Sequence, residues 1–349
     1  MEISTHTLEE IPADRYSKFY ENDETPFFQR VSYSRIQEKK GVPVRRFVLL
    51  EDGEPIAFFQ VFTLKIKFGI KILYIPYGPV FLTSISKERV SGLCSRLKKI
   101  LKEEKAIFVR SQFSFKDKES MSEKEKPRIF SCFRSPFKDS GHAGYFQPRL
   151  VWKIDINKPD EDILSDMNSK TRYNIRKAKR GGVTVKVSRD VCKDFETFFS
   201  ILKESGEKNG FSLYPKSYYR EIFRETEKRS SSFLALAFYQ GRPVAVNFVV
   251  LSGKTGFFLF SGVTREGRSL RSSNLLRWTA MKESKRLGMT EVNFGAVTQK
   301  SSGEWLGFSD FKRGFGGYRV SYPFFDLVDN KFLYYPYLLQ RYLKNKKLI

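Results

Sequence analysis

The chain has 349 residues, 40% of them hydrophobic and 29% charged, enough apolar material for a packed core and too much for wholesale disorder. At ~100–200 residues per domain, this length points to two domains. Sixty-three Lys and Arg against 39 Asp and Glu leave a net charge of +24, which favours phosphate-bearing partners, although a merely solvated basic surface would show the same excess. No run of ~18 apolar residues suggests a membrane-crossing helix, and the polar, acidic stretch Met1 to Asp23 does not read as a signal peptide. Cys94, Cys132 and Cys192 show no CxxC spacing, and only His6 and His142 are present. That set argues against a cysteine-rich zinc site and a disulfide framework, and the expected compartment is the reducing cytoplasm.

In chain order, Leu49 to Thr63 reads as strand, Asp52-Gly53 turn, strand. Ile70 to Ile75 is a further strand leading into Pro76-Tyr77-Gly78-Pro79. Lys87 to Lys102 is a helix with Val90, Leu93, Leu97 and Leu101 at helical spacing, and Ala106 to Arg110 is the next strand. The same order recurs in Phe233 to Leu251, Gly256 to Val263, a helix over Ser272 to Leu287 ended by Gly288, and a strand over Glu291 to Phe294. Gly53-Glu54-Pro55-Ile56-Ala57 aligns with Gly241-Arg242-Pro243-Val244-Ala245, so the chain reads as an internal repeat of one α/β unit with mixed, twisted sheets flanked by helices. The expected domains are 1–147, completed by about 320–349, and 148–319. Phe115 to Pro127, with four lysines and four acids, reads as a solvated loop, and Gly141 to Pro148 as the approach to the second domain. Phe324 to Asp329 is a strand that can return to the first domain. The tail from Tyr334 to Lys347 is either a basic amphipathic anchor or a helix packed on its own domain.

Two segments carry the functional signals. Between Met167 and Arg189 stand eight basic residues and no acidic one. A helix starting near Thr171 would place Arg172, Arg176 and Lys179 on one face, with Tyr173 and Ile175 as anchors. Such a face suits phosphates, or is simply solvated. The second segment, Asn293 to Tyr318, places Phe311-Lys312 just before Phe315-Gly316-Gly317. Either its glycines hold backbone close to a ligand at which the lysine is aimed, or they form a Gly-rich aromatic turn.

Together, KTRYNIRKAKRGGV, SSNLLRWTAMKESKRLGMTEVNFGAV and DFKRGFGGY, with Phe28-Gln29, Tyr33 and Tyr77-Gly78-Pro79-Val80, resemble the Fem family (FemA, FemB, FemX). These are aminoacyl-tRNA-dependent transferases that build the side branch of peptidoglycan. The resemblance implies two tandem domains of the GNAT acetyltransferase type and, without a long heptad block, the armless FemX-like form. It implies transfer of Gly, Ala or Ser from an aminoacyl-tRNA to the stem-peptide amine of a UDP- or lipid-linked muropeptide precursor, with no metal or cofactor. It also implies a monomer in the cytoplasm, in peripheral contact with the inner leaflet. Lys312, with Phe311, matches the residues at the tRNA acceptor end, where the ammonium would stabilise transition-state charge and the proton would leave through a substrate group. The acceptor-binding positions fall at Tyr77, Gln37, Tyr214 and Tyr218, with Arg172 and Arg176 or Lys39 as substitute cations. Tyr77 and Tyr218 match the family, or are simply buried aromatics. Gln37 and Tyr214 stand where the family has Lys and Arg, Leu82 where it often has an acid, Asn293 where many members have Asp, and Tyr33 where it usually has Trp. Losing two cations points to a head group other than UDP. Two further readings remain: a CoA-dependent GNAT-type N-acyltransferase, weakened by the bulky turn Arg265 to Asn274 where glycines would admit a pyrophosphate, and a non-catalytic RNA- or membrane-surface-binding protein.

Overall fold

The structure is a computed structural model and describes residues 5–20, 25–66, 69–113, 126–134, 146–298 and 305–345. Its strands are β1 (His6–Glu10), β2 (Val44–Glu51), β3 (Glu54–Lys65), β4 (Lys71–Ile75), β5 (Val80–Phe81), β6 (Ala106–Ser111), β7 (Leu150–Asp155), β8 (Thr184–Ser188), β9 (Ser232–Tyr239), β10 (Arg242–Ser252), β11 (Thr255–Val263), β12 (Glu291–Ala296), β13 (Tyr318–Ser321) and β14 (Phe325–Val328). Its α-helices are α1 (Ala13–Ser17), α2 (Val31–Glu38), α3 (Lys87–Glu104), α4 (Lys126–Ile129), α5 (Asp160–Asp166), α6 (Ser169–Arg180), α7 (Phe195–Asn209), α8 (Lys216–Glu227), α9 (Arg265–Ser269), α10 (Ser272–Arg286), α11 (Trp305–Arg313) and α12 (Lys331–Asn345).

The two aligned turns build the same hairpin. Asp52-Gly53 and Gln240-Gly241 each place two successive residues at positive φ, the geometry that matches the twist of antiparallel strands. The bulge matches too. Leu49 pairs with Ala57 and Leu50 with Pro55, leaving Ile56 extra, while Ala237 pairs with Ala245 and Phe238 with Pro243, leaving Val244 extra.

From these hairpins grow two sheets that share the order of five strands, β1-β2-β3-β4-β6 and β8-β9-β10-β11-β12. The first runs β1-β2-β3-β4-β6-β14, with β5 beside β3, and the second runs β8-β9-β10-β11-β12-β7-β13. Each has one parallel pair, β4/β6 and β11/β12, joined through a helix, α3 and α10 respectively; the other neighbours are antiparallel. Val90, Leu93, Leu97 and Leu101 of α3 are all buried, as their spacing predicts. On α10, Leu275, Leu276 and Met281 are buried, but so are Arg277 and Trp278, while Thr279 is only half-buried. The fold is therefore mixed α/β, with two repeated sheet-and-helix units.

One unit comprises Met1–Glu21, Phe28–Arg149 and Tyr322–Ile349, the other Asn22–Phe27 and Leu150–Ser321. The chain thus passes from one unit to the other at Arg149/Leu150. β14 pairs with β6, returning the end of the chain to the first unit. Arg110 on β6 forms a buried bidentate ion pair with Asp326 on β14, at 2.8 and 2.6 Å, and Tyr334 of α12 donates to the same carboxylate at 2.9 Å.

Two expectations are corrected. Cys94 and Cys132 form a disulfide, with Cα atoms 6.7 Å apart. Cys94 lies on the buried side of α3 and Cys132 beside it after α4, a pairing that a separation of 38 residues gave no reason to expect. Lys312 lies on a helix, α11, rather than in a glycine-rich turn. Most of the loop expected at Phe115 to Pro127, and most of the approach from Gly141, lies outside the described residues.

Candidate active site

The parallel pair of the second unit opens along its length. β11 and β12 are in register at Thr255–Glu291, Gly256–Val292 and Phe257–Asn293, and no further. Beyond that point β12 bulges against β7 and passes through Gly295 at φ 77°. The Asn293 side chain accepts from the Gly295 N–H at 2.8 Å and holds the bend. The strands diverge, and the rings of Phe258 and Phe294 stack 4.8 Å apart just past the last paired residues.

Two cations occupy this opening. Arg277 of α10 is only 7% exposed, with its guanidinium 5.2 Å from the Phe258 ring and 4.9 Å from the Phe294 ring. Its Nη2 donates to Ser261 at 2.8 Å, whereas buried Nη1 has no protein partner among the described residues. Burial lowers its pKa to about 10. Lys312 of α11 donates to the Ala296 carbonyl at the end of β12. Burial, and secondarily the charge of Arg277, pull its pKa down to about 7. Phe315 contacts Phe294 at 5.4 Å and Phe311 contacts Phe315 at 5.3 Å, so Phe311 extends the aromatic floor under the cations.

Beside them lies Asn247, the cross-strand partner of Ser261, so both side chains point to the same sheet face. Asn247 is 0% exposed, and neither atom of its amide meets a protein partner among the described residues. Orphaned buried groups are rare, and here they share one face with two cations. Neither Arg277 nor Asn247 was singled out from the sequence. Arg277 interrupts the apolar run Leu275-Leu276 to Trp278, a pattern that by itself reads equally as the solvent face of the helix.

The structure joins the two sequence signals. The Asn168 N–H donates to the Gly314 carbonyl at 3.0 Å, so the basic helix α6 starts beside the residue two beyond Lys312. A Cβ on Gly314 would lie 2.6 Å from Thr171 Oγ1, which accounts for that glycine. Gly316 and Gly317 hold backbone close to protein rather than ligand: a Cβ there would lie 2.9 Å from the Asp166 carbonyl oxygen and 2.2 Å from that of Lys153.

Arg172 and Arg176 separate. Arg172 folds back onto the C-terminal carbonyls of α5, donating to Ser165 at 3.2 Å and to Met167. It is a helix cap. The exposed face of α6 is instead Tyr173, Arg176, Lys177 and Arg180, at i, i+3, i+4 and i+7. None of its three cations has a carboxylate partner among the described residues, and Lys177 Nζ lies 6.0 Å from the Tyr173 ring centre.

Tyr214 and Tyr218 come together with ring centres 4.6 Å apart, and the Tyr219 hydroxyl accepts from the Tyr214 N–H. Both predicted residues are partly exposed. In the first unit, Tyr77 is buried, packs on Phe28 and Tyr322, and donates to the Pro148 carbonyl at 3.0 Å. Its hydroxyl is therefore engaged within the fold, and burial raises its pKa well above the usual range. Gln37 is buried on α2.

The turn required by the CoA reading is folded into α9. Thr264 accepts from the Gly267 N–H, Arg268 N–H bonds the Thr264 carbonyl, and a Cβ on Gly267 would lie 2.3 Å from the Val244 carbonyl oxygen. The depression of about 600 Å³ beside it is lined by Glu204 and Glu266 and by Arg242 and Arg265, with Arg242 tied to Glu266 at 2.9 Å.

The FemAB family model matches residues 11–238, and the model of the GNAT acetyltransferase domain matches 165–313. The chain belongs to the FemAB family. Among curated relatives it is 26% identical over 211 residues to the lipid II:glycine glycyltransferase of Staphylococcus aureus, a match covering 60% of this chain. The chain spans about half (49%) of that relative's length. Of solved structures, FemX superposes with a TM-score of 0.80 at 20% identity, over 95% of this chain and all of that one. A tandem GNAT protein from the clavulanic acid biosynthesis pathway superposes with 0.53 at 10% identity, over 92% and 98%. Both likenesses concern the fold, which is of the tandem GNAT type.

Proposed function

We propose that the chain is an aminoacyl-tRNA-dependent transferase, forming an amide between a tRNA-borne amino acid and the stem-peptide amine of a lipid-linked peptidoglycan precursor. The observation that carries this reading is the pair of buried cations, Arg277 and Lys312, where β11 and β12 part. Aminolysis of an ester builds negative charge on the carbonyl oxygen, and a donor in a dry site stabilises it far more than one in water. Arg277, cationic throughout the physiological range, suits that role through its unpaired Nη1. Lys312 was expected from the resemblance to stabilise charge. A pKa of about 7 suits it better to proton transfer: neutral Lys312 takes one proton from the acceptor ammonium, freeing the amine that attacks, and gives that proton to the 3′ oxygen as the ester C–O bond breaks, while the nitrogen's second proton leaves to solvent as the amide forms. Asn247 has an acceptor and donors free for the aminoacyl group. The bare basic face of α6, which starts beside Lys312, suits the acceptor stem of the tRNA.

Two arguments favour a lipid-linked over a UDP-linked acceptor. The curated relatives carry lipid II in their names. Neither Gln37 nor Tyr214 supplies a cation for a nucleotide diphosphate. Glycine is the donor those names favour. Tyr214 and Tyr218 remain the proposed acceptor contacts in the second unit, and Tyr77 is given a supporting role.

The test is transfer from tRNA charged with radiolabelled Gly, Ala or Ser to lysine-containing precursors in lipid-linked and UDP-linked forms. Label is expected on the lipid-linked form. The single-turnover rate should rise with pH through about 7 and then level. Lys312→Arg should lose roughly hundredfold or more and with it the inflection near neutrality. A wild-type rate that falls through this range would return Lys312 to the charged, oxyanion-stabilising role. Turnover of an acyl-CoA with no transfer from tRNA would move the function to the CoA reading.

A further inference from the structure

The repeat allows the two units to be compared residue by residue. Two residues beyond the matched pairs Leu49–Ala57 and Ala237–Ala245, the first unit pairs Phe47 with Phe59 and the second pairs Ala235 with Asn247. In the first unit the two rings stack at 5.6 Å and join the apolar core that includes Val90 and Leu93 of α3. In the second unit a methyl group and an amide stand in their place, and Ala235 belongs to the core that includes Leu276 and Ala280 of α10. On the next strand Asn247 faces Ser261, which accepts from Arg277 Nη2 at 2.8 Å. Where one unit is filled by two aromatic rings, the other gathers Asn247, Ser261 and Arg277.

Apolar filling is the stable solution for that place, and the first unit uses it. The second keeps an amide that is 0% exposed, with neither Oδ1 nor Nδ2 meeting a protein partner among the described residues, and Arg277 Nη1 beside it has none either. A buried amide left in this way costs on the order of 1–3 kcal/mol, so its retention points to a role outside stability. The three orphaned atoms define what they can receive. Arg277 Nη1 and Asn247 Nδ2 donate, and Asn247 Oδ1 accepts. A plain carbonyl uses the donors and leaves Oδ1 unpaired. An ammonium ion calls for a carboxylate, and Arg277, with its pKa lowered by burial alone, has none beside it among the described residues. An α-aminoacyl group satisfies all three atoms, because its carbonyl oxygen accepts from Nη1 and Nδ2 while its uncharged amine, on the adjacent carbon, donates to Oδ1. On the transferase reading above, we propose that Asn247 recognises the α-amine of the donor's amino acid, and so selects an aminoacyl ester over a plain acyl one. A site built to bond an N–H rejects the analogue that lacks it, because a buried polar atom then stays unpaired.

The experiment measures binding, so that the unequal reactivity of the two esters does not enter. An acceptor-stem minihelix is made with NH in place of the terminal 3′ oxygen, carrying either a glycyl or an acetyl group on a stable amide. The full chain should bind the glycyl form roughly tenfold or more tighter, the worth of one buried hydrogen bond. Asn247→Leu should abolish that preference by weakening the glycyl form alone, and should unfold no lower than wild type, since it removes two unpaired buried atoms. Asn247→Ala, which adds no bulk, should lose the preference as well, separating a missing hydrogen bond from an obstructed site. Equal affinity of wild type for the two minihelices, or a preference that survives both substitutions, overturns the proposal. If that result accompanies transfer from glycyl-tRNA in the assay above, the amine contact falls alone. If neither minihelix binds and no transfer occurs, the transferase reading falls with it.

Discussion

Arg277 and Lys312 are placed where a protein built for stability alone would have put leucine or methionine. Each gives up hydration, and no carboxylate among the described residues offsets the loss. Lys312 titrates near 10.4 in a free chain and near 7 in the fold. Above both values the residue is neutral in either state and costs nothing. As pH falls from about 10 to 7, the unfolded chain takes up a proton that the folded one refuses, so this residue's contribution to stability declines; below about 7 it levels. Lys312→Met should therefore raise the urea midpoint most at pH 6, less at pH 8 and hardly at pH 10, while abolishing transfer. A gain independent of pH would mean that packing, not charge, had been relieved. Lys312 was legible because its motif is local. Arg277 and Asn247 were not, because their significance lies in what surrounds them: an arginine among leucines reads as a helix's solvent face until the sheet beneath is known.

At the level of elements, β14 has the most to lose. It is four residues long and leaves the chain after the whole second unit, yet it closes the first sheet. Arg110 fixes it through Asp326, and the rings of Phe108, Phe146 and Phe324 surround the guanidinium at 4.6–5.2 Å. Asp326→Asn removes the charge that keeps Arg110 tolerable, and should cost about 3–5 kcal/mol, read as a lower urea midpoint. A loss below about 1 kcal/mol would show that water reaches the pair. The strand itself was foreseen from Phe324 to Asp329, as were both hairpins, because a turn and an alternating run are local facts. α11 was not foreseen: Gly307 and the glycines at 314, 316 and 317 hide nine helical residues, and the last three are accounted for only by packing, against Thr171, Asp166 and Lys153 respectively. The disulfide was hidden likewise, since it depends on how α4 lies on α3.

Across the molecule, a charge of +24 predicts polyanion binding but does not say where. Some basic residues are tied up: Arg45 meets Glu10, Glu103 and Glu104, and Arg89 meets Glu51. The face of Arg176, Lys177 and Arg180 is bare, with Tyr173 beside it for a base or sugar to stack on. Arg172, on the same basic segment, is occupied at the end of α5. The two classes should separate in one titration of tRNA affinity against salt. Neutralising Arg176, Lys177 and Arg180 together should weaken binding and flatten the slope of log K against log salt by about 1 for each phosphate that is no longer neutralised, roughly 3 in all. Arg172→Ala should leave that slope unchanged and instead lower the unfolding midpoint, by about 1 kcal/mol for the missing charged cap. A triple variant with the wild-type slope would make α6 a solvated face and place the tRNA elsewhere on the surface. A changed slope for Arg172→Ala alone would mean that its bonds to α5 open when the tRNA arrives.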